Sequence, residues 1–283
     1  MKRHSISLGL MLAMAASTPL LAQKKADLPK SVRLYVFDCG SIQGRDPAIF
    51  HFKKEELAGL DFVVACYLVA HPKGTLMWDV GVIPDSAFKS DGAPVTQGIS
   101  TVTKPLLPQL AAVGYTPADI TYLALSHYHS DHTANANSFT SATWLVHQPE
   151  RDAMFAEKPA GIIQPASFNK LKDSKTIILK DGDYDVFGDG TVTIKYTPGH
   201  TPGHQVLYLK LPRTGPVLLA GDLYHYPEER FSGKTPTFEF NAEQSLASRA
   251  KMEDFLKTSK AQLWIEHDMA TFNKLKKAPA YYE

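Results

Sequence analysis

Four side chains able to bind a cation fall within six positions of the stretch Ser126-His127-Tyr128-His129-Ser130-Asp131-His132. Neutral imidazole and carboxylate suit zinc and similar divalent ions, and such a set with open coordination positions belongs to catalytic rather than structural sites. In an extended segment side chains alternate, which would send His127, His129 and Asp131 to one side while a turn brings His132 in from another direction. Other candidates stand alone along the chain: Asp79 in WDVG, His200 and His204 in TPGHTPGH, Asp222 in AGD and His267 in EHD. His51, His71 and His147 have no ligand spacing. No Ser or Cys is paired with a base and no glycine-rich phosphate loop is present, so activation of water by metal is the chemistry on offer.

These residues need a scaffold, and the sequence reads as strands. VRLYVF, DFVVACYLV and TLMW are short β-branched and aromatic runs bounded by Gly, Pro or Asp, and ITYLAL leads directly into the histidine-rich stretch. Residues 104–114 read as a helix closed by Gly114, with Thr116 and Pro117 starting one further turn. The second half repeats the rhythm with TIIL, TVTIKY, QVLYLKL and PVLLA, then an amphipathic helix with Asn241 and Gln244 placed as a capping box, then the strand AQLWIE before His267. Strands with interspersed helices in each half suggest two sheets packed together with helices outside.

The chain has 283 residues, 44% hydrophobic and 21% charged, which is ordinary globular composition, and no linker divides it. Lys2 and Arg3, an apolar run from Ile6 to Ala16 and small residues up to Ala22 read as a secretory signal at 1–22, with one catalytic domain over 23–283. The 30 basic residues less Lys2 and Arg3 leave 28 against 29 acidic ones, a net charge of −1 that favours neither nucleic acid nor a membrane surface as partner. The expected location is periplasmic or secreted, where Cys39 and Cys66 could be joined or could remain buried thiols.

HYHSDH, followed in order by TPGHTPGH, AGD and EHD, resembles the signature of the metallo-β-lactamase superfamily, and within it the pattern is most similar to lactonases that open N-acyl homoserine lactones. The resemblance implies an α+β fold, the αββα sandwich of two packed mixed sheets with helices on the outer faces. It also implies two divalent metal ions, for which zinc fits the donors best. His127, His129 and His200 would hold one and Asp131, His132 and His267 the other, with Asp222 bridging both. Asp79 would orient the metal-binding loop, and His204 would support or pack rather than ligate.

The implied reaction is attack on the lactone carbonyl by a hydroxide bridging the metals, with Asp131 passing a proton to the departing alkoxide. Well-known members carry a tyrosine three positions after the bridging aspartate. Here that position is His225, with Tyr224 one earlier, and alternation lets one of the two reach the site as a hydrogen-bond donor or acid. Residues 83–108 and the segment Tyr226 to Phe240 could wall an acyl chain. The expected partner is a small lactone, and a homodimer is left open. Glyoxalase-type thioesterases share the ligands but bring a basic C-terminal region that KLKKAPAYYE matches poorly, and β-lactamases of this fold generally lack the bridging carboxylate. A non-catalytic metal-binding module is the reading from a different class, and the completeness of the ligand set argues against it.

Overall fold

The strand Phe62–His71 (FVVACYLVAH) is buried on both faces along its whole length. In the computed structural model, which describes residues 27–159 and 162–283, it lies inside a nine-stranded sheet. The leader expected at 1–22 lies outside the described residues. Arg33–Ile42, Phe62–His71 and Gly74–Trp78 form an antiparallel core, extended by Tyr122–Ala124, Thr143–His147 and Thr176–Leu179, each parallel to its neighbour. A five-stranded sheet runs Gln262–Trp264, Gly215–Leu219, Gln205–Leu211, Val192–Tyr196, Asp183–Asp185, with only the first pair parallel.

Period-two alternation divides the core into three layers. Val63, Ala65, Tyr67 and Val69 face the second sheet and pack with Ile194, Leu207, Leu209 and Val217. Phe62, Val64, Cys66 and Leu68 face outward and pack with Leu106 and Leu110 of the helix Leu106–Ala112 and Met154 of Gln148–Met154. Val206, Tyr208 and Leu218 form the outer face of the second sheet beneath Met252 and Leu256 of the helix Ala242–Ser259. The order of layers is helix, sheet, sheet, helix, and both sheets are mixed, as expected. Among the described residues no helix is long and apolar enough to cross a membrane.

Several details differ from the sequence reading. The strand Thr143–His147, the hairpin Val95–Gln97 with Ser100–Val102, and the C-terminal Tyr281–Tyr282, which pairs with Leu34 and Tyr35, were not expected. Asn241 accepts a hydrogen bond from the Gln244 backbone at 3.0 Å, which is one half of the expected capping box. The helix it caps buries Ser245, Ser248 and Arg249 beside Met252 and Leu256, so its inner face is not the apolar stripe of an amphipathic helix.

The loops that carry four of the site residues each leave the C-terminal end of a strand: Asp79 follows Gly74–Trp78, His127 follows Tyr122–Ala124, and Asp222 and His267 follow Gly215–Leu219 and Gln262–Trp264. Sites on open α/β sheets gather at this rim because the strands there give way to loops free to carry polar groups.

Cys39 and Cys66, on neighbouring antiparallel strands, are joined by a disulfide with Cα atoms 5.9 Å apart, which settles the alternative left open by the sequence. The link closes a loop 27 residues apart in sequence. Restricting the unfolded chain by a loop of this size is worth about 3–4 kcal/mol. Replacing both cysteines by Ala is therefore expected to lower the unfolding free energy by about that amount in urea titrations of the oxidised proteins. A loss below about 1 kcal/mol would show that the link constrains an already compact unfolded chain.

Candidate metal centre

The turn after Gly74–Trp78 places Asp79 in the left-handed region, at φ 53°. That conformation is unfavourable for a residue with a Cβ and persists where surrounding bonds over-determine it. Asp79 Oδ1 accepts a 2.6 Å hydrogen bond from the Ser126 backbone and Oδ2 accepts one at 3.0 Å from His132 Nδ1. The second bond fixes the tautomer of His132, leaving Nε2 as a lone pair for a cation. Ser126 Oγ lies 3.0 Å from His127 Nδ1, which turns His127 Nε2 inward in the same way.

The chain does not stay extended through this stretch. A helical turn begins at Ser130, so Asp131 travels with His132 instead of with His127 and His129. This corrects the alternation expected from the sequence, while the grouping matches the one the resemblance implied. His127, His129, His200 and Asp222 form one group of ligand atoms and Asp131, His132 and His267 a second.

The remaining ligands arrive from the second half of the chain. His200 stands on a loop clamped by the buried Glu150, whose Oε2 accepts from Thr201 Oγ1 at 2.8 Å and from the Gly203 backbone at 2.7 Å. Only glycine fits at 203, because a Cβ there would lie 2.4 Å from the Glu150 Cβ. Burial is the main influence on Glu150 and pushes its carboxyl up to about 7 despite those hydrogen bonds. His204, held by burial down at about 3, accepts the Asp222 backbone N–H at Nε2 at 3.1 Å and so orients the central carboxylate without facing the cluster. His267 donates from Nδ1 to the Val63 carbonyl at 2.8 Å and stacks on Phe62 at 4.5 Å.

Asp222 is buried and divides its oxygens between the two groups. Oδ2 lies 3.6 Å from His127 Nε2 and 3.5 Å from His200 Nε2, whereas Oδ1 lies 3.2 Å from His132 Nε2 and 3.1 Å from His267 Nε2. Asp131 Oδ2 is 3.6 Å from His267 Nε2 and 3.8 Å from His132 Nε2, and His129 Nδ1 is 3.0 Å from His200 Nε2. Donors of a tetrahedral zinc site, each about 2.0–2.1 Å from the ion, stand roughly 3.3–3.4 Å apart, so these separations are those of ligands around a shared cation.

The fit is also chemical. His127 Nε2, His132 Nε2 and Asp222 Oδ1 are buried without a hydrogen-bond partner. Burial lowers His127, His129 and His200 well below the usual imidazole range and keeps them neutral, the form that ligates metal. Burial disfavours charge on His132 too, but Asp222, Asp79 and Asp131 outweigh it and raise that imidazole well above its usual value. Burial likewise works against ionised Asp222, and the surrounding imidazoles, His267 and His132 foremost, bring it well below the usual carboxylate range. Negative charge strong enough to hold a proton at this spot will hold a cation.

Of the two residues between which the sequence could not choose, His225 faces the centre, with Nε2 3.2 Å from Asp222 Oδ2. Tyr224 turns outward, donates to Glu253 at 3.0 Å and packs in the outer core beside Met252, so the catalytic role left open to it is withdrawn. His225 is held by Glu229, which accepts its backbone N–H at 3.1 Å and lies 3.4 Å from Nδ1. Burial opposes protonation of His225, yet Glu229 and then Asp222 raise it to about 10.

Sequence reasoning missed the groups behind these residues. Arg249 donates to Glu229 at 2.7 Å and to the carbonyls of Leu223 and Lys234 at 2.7 Å each, stapling the loop that carries His225. Glu239 Oε2 lies 3.4 Å from His200 Nδ1 and behind that ligand. The one available signal was an arginine on the face of the helix Ala242–Ser259 that has to be buried; Glu150, Glu229 and Glu239 carry no local pattern.

A cavity of about 350 Å³ opens onto the cluster at His129, Asp131, Asp222, His225 and His267. Its apolar walls are Ile42, Ile49, Phe62, Val82, Ile99, Ile162 and Phe238. The two expected segments supply only Ile99 and Phe238 of this apolar wall; Ile42, Ile49 and Phe62, with Val82 and Ile162, come from segments not anticipated.

A family model described as "Metallo-beta-lactamase superfamily" matches residues 59–256. The chain is 30% identical over 266 residues to N-acyl homoserine lactonase AttM of Azorhizobium caulinodans, covering 89% of this chain and 99% of that one. It is 31% identical to N-acyl homoserine lactonase AttM of Rhizobium radiobacter, covering 89% and 98%. A solved structure of an N-acyl homoserine lactone hydrolase, with the product N-hexanoyl-L-homoserine bound at its catalytic metal centre, superposes with a TM-score of 0.73 at 27% identity, covering 89% of this chain and 99% of that one.

Glu150 generates a prediction about pH. Its folded value near 7 exceeds the usual 4.5, so the fold favours the neutral carboxyl: the contribution is complete below about pH 4.5 and is lost as pH rises through 7. Relative to wild type, E150Q is expected to gain about 2–3 kcal/mol in unfolding free energy between pH 5 and pH 8, measured in urea at fixed metal concentration. A difference that does not vary with pH would show that Glu150 ionises freely in the folded protein.

Proposed function

Because the chain belongs to the metallo-beta-lactamase superfamily, we propose that it is a hydrolase with two divalent ions, most naturally zinc, that opens the lactone ring of N-acyl homoserine lactones. The observation that carries this reading is the Asp222 carboxylate, with one oxygen toward each ligand group on the floor of an apolar cavity. Relatives named as N-acyl homoserine lactonases, matched over nearly their full length, support the substrate class.

When bound, a pair of divalent cations brings the pKa of water toward neutrality and draws electron density from a carbonyl oxygen. The chain's own residues supply position and protons. Asp79, Glu239 and the Val63 carbonyl stand behind His132, His200 and His267 and hold their inward nitrogens in place. Water adds to the lactone carbonyl carbon, the ring C–O bond breaks, and the departing oxygen takes a proton. Asp131, half-buried at the cavity floor, is the carboxyl placed to carry that proton from the attacking water to the ring oxygen. His225, aimed by Glu229, donates from Nε2 toward the carbonyl oxygen as it becomes negative. Phe62, Ile42, Ile49 and Phe238 receive the acyl chain.

We place the processed chain in the periplasm or outside the cell; the buried Cys39–Cys66 disulfide and the leader-like start support that location.

Purified protein is expected to carry about two zinc or similar ions per chain by elemental analysis, and D222N at most one. H225A is expected to keep its metal and lose about 10- to 100-fold in kcat on N-hexanoyl homoserine lactone. Assayed beside a glutathione thioester and a β-lactam, the lactone is the substrate expected to turn over. Metal-dependent turnover of the thioester with an inert lactone would replace the substrate, and inertness toward all three would favour a binding module.

A further inference from the structure

One charged group in the cavity has no part in the chemistry above. Arg45 lines the same cavity as the metal ligands and, among the described residues, is the only lysine or arginine that does so. Its guanidinium carbon lies 5.7 Å from the ring centroids of both Phe50 and Phe62, so two aromatic faces hold it in place. Among the described residues it takes part in no ion pair, and its only hydrogen bond is through the backbone, to the Leu60 carbonyl at 2.9 Å. Its Nε is buried without a partner. The residue as a whole is part-exposed, so a ligand that fills the cavity would strip water from the guanidinium, and a donor left unpaired in that state costs about 1–3 kcal/mol, and more when charged; the group therefore calls for an acceptor on the ligand.

Resting on the lactonase reading, we propose that Arg45 is the specificity residue that recognises the amide carbonyl between the lactone ring and the acyl chain. The ring carbonyl would be taken up by His225 and by cations held at the ligand groups. An arginine has only donors, so it cannot serve the amide N–H. The acyl chain beyond has no acceptor and is matched by the isoleucines and Phe238. The amide oxygen is the remaining acceptor, lying between the ring at the cluster and the chain along the walls, within the cavity that Arg45 lines. The protein thereby distinguishes acylamino lactones from simple alkyl lactones of equal size, since the alkyl lactone takes water from the guanidinium and returns no acceptor.

The test compares N-hexanoyl homoserine lactone with α-heptyl-γ-butyrolactone, in which two methylenes replace the amide, using metal-loaded wild-type, R45M and R45K proteins. Methionine keeps an apolar stem against Phe50 and Phe62, and a thermal melt verifies folding. The ratio of kcat/KM for the amide-bearing over the amide-free lactone is expected to fall about 10- to 100-fold in R45M, with the loss in KM rather than kcat, and to recover in part in R45K. If wild type opens both lactones and R45M leaves their ratio unchanged, Arg45 does not read the amide although the lactonase reading stands. If wild type opens neither, both fail together.

Discussion

A single buried carboxylate surrounded by imidazole nitrogens sets the terms for the rest of the molecule. Asp222 faces His127 and His200 with one oxygen and His132 and His267 with the other, and most of these nitrogens present lone pairs. Such an arrangement of acceptors is self-repelling unless cations lie between them. The wider charge balance agrees. Asp79, Asp131, Asp222, Glu229 and Glu239 surround the cluster, with Arg249 as the guanidinium among them. The carboxylates outweigh burial at His132 and His225 and raise them, whereas burial prevails at His127, His129 and His200 and lowers them.

Much of this was legible because ligand chemistry depends on residue type. His127, His129, His132, His200, Asp222 and His267 could be named from spacing and resemblance, and the strands that end at them were visible as β-branched runs. What failed were inferences about direction. Alternation predicted that Asp131 would side with His129, but the helical turn at Ser130 carries it across to His132. Alternation did indicate that Tyr224 and His225 diverge, yet only the packing of Tyr224 against Met252 and its bond to Glu253 decides which one points inward. The groups that hold the ligands were invisible for a different reason: Glu150 reaches Gly203 across 53 residues and Glu229 reaches Arg249 across 20, and a carboxylate that meets its partner only in three dimensions leaves no local mark.

The cavity shows the same division. Its chemistry was readable, its walls were not. The segment between the first two long strands, residues 43–61, has little apolar periodicity, yet it brings Arg45 and Ile49 to the rim and Phe50 beneath them. Irregular segments adjust to the ligand rather than to the sheet, so hydrophobic patterning cannot predict which of their residues face inward.

Each metal position draws ligands from both halves of the chain: His127 and His129 meet His200, and Asp131 and His132 meet His267. Bound cations would therefore tie the two sheets together, and one could suppose that the sheets depend on them for their alignment. The hydrogen bonds argue otherwise. Gln205 donates its backbone N–H to Ser126 at 2.9 Å and its side chain to Leu125 at 2.8 Å, which joins the histidine-rich loop to the second sheet without any metal. Glu150 grips the His200 loop from the first half, and the interface between the sheets is filled with Val, Leu and Ile. The halves are thus brought into register by the backbone and core. Metal binding energy need not order the loops and remains available to hold strongly coordinating groups at short range, which is the condition for cations poised to act on water rather than merely to stabilise a fold.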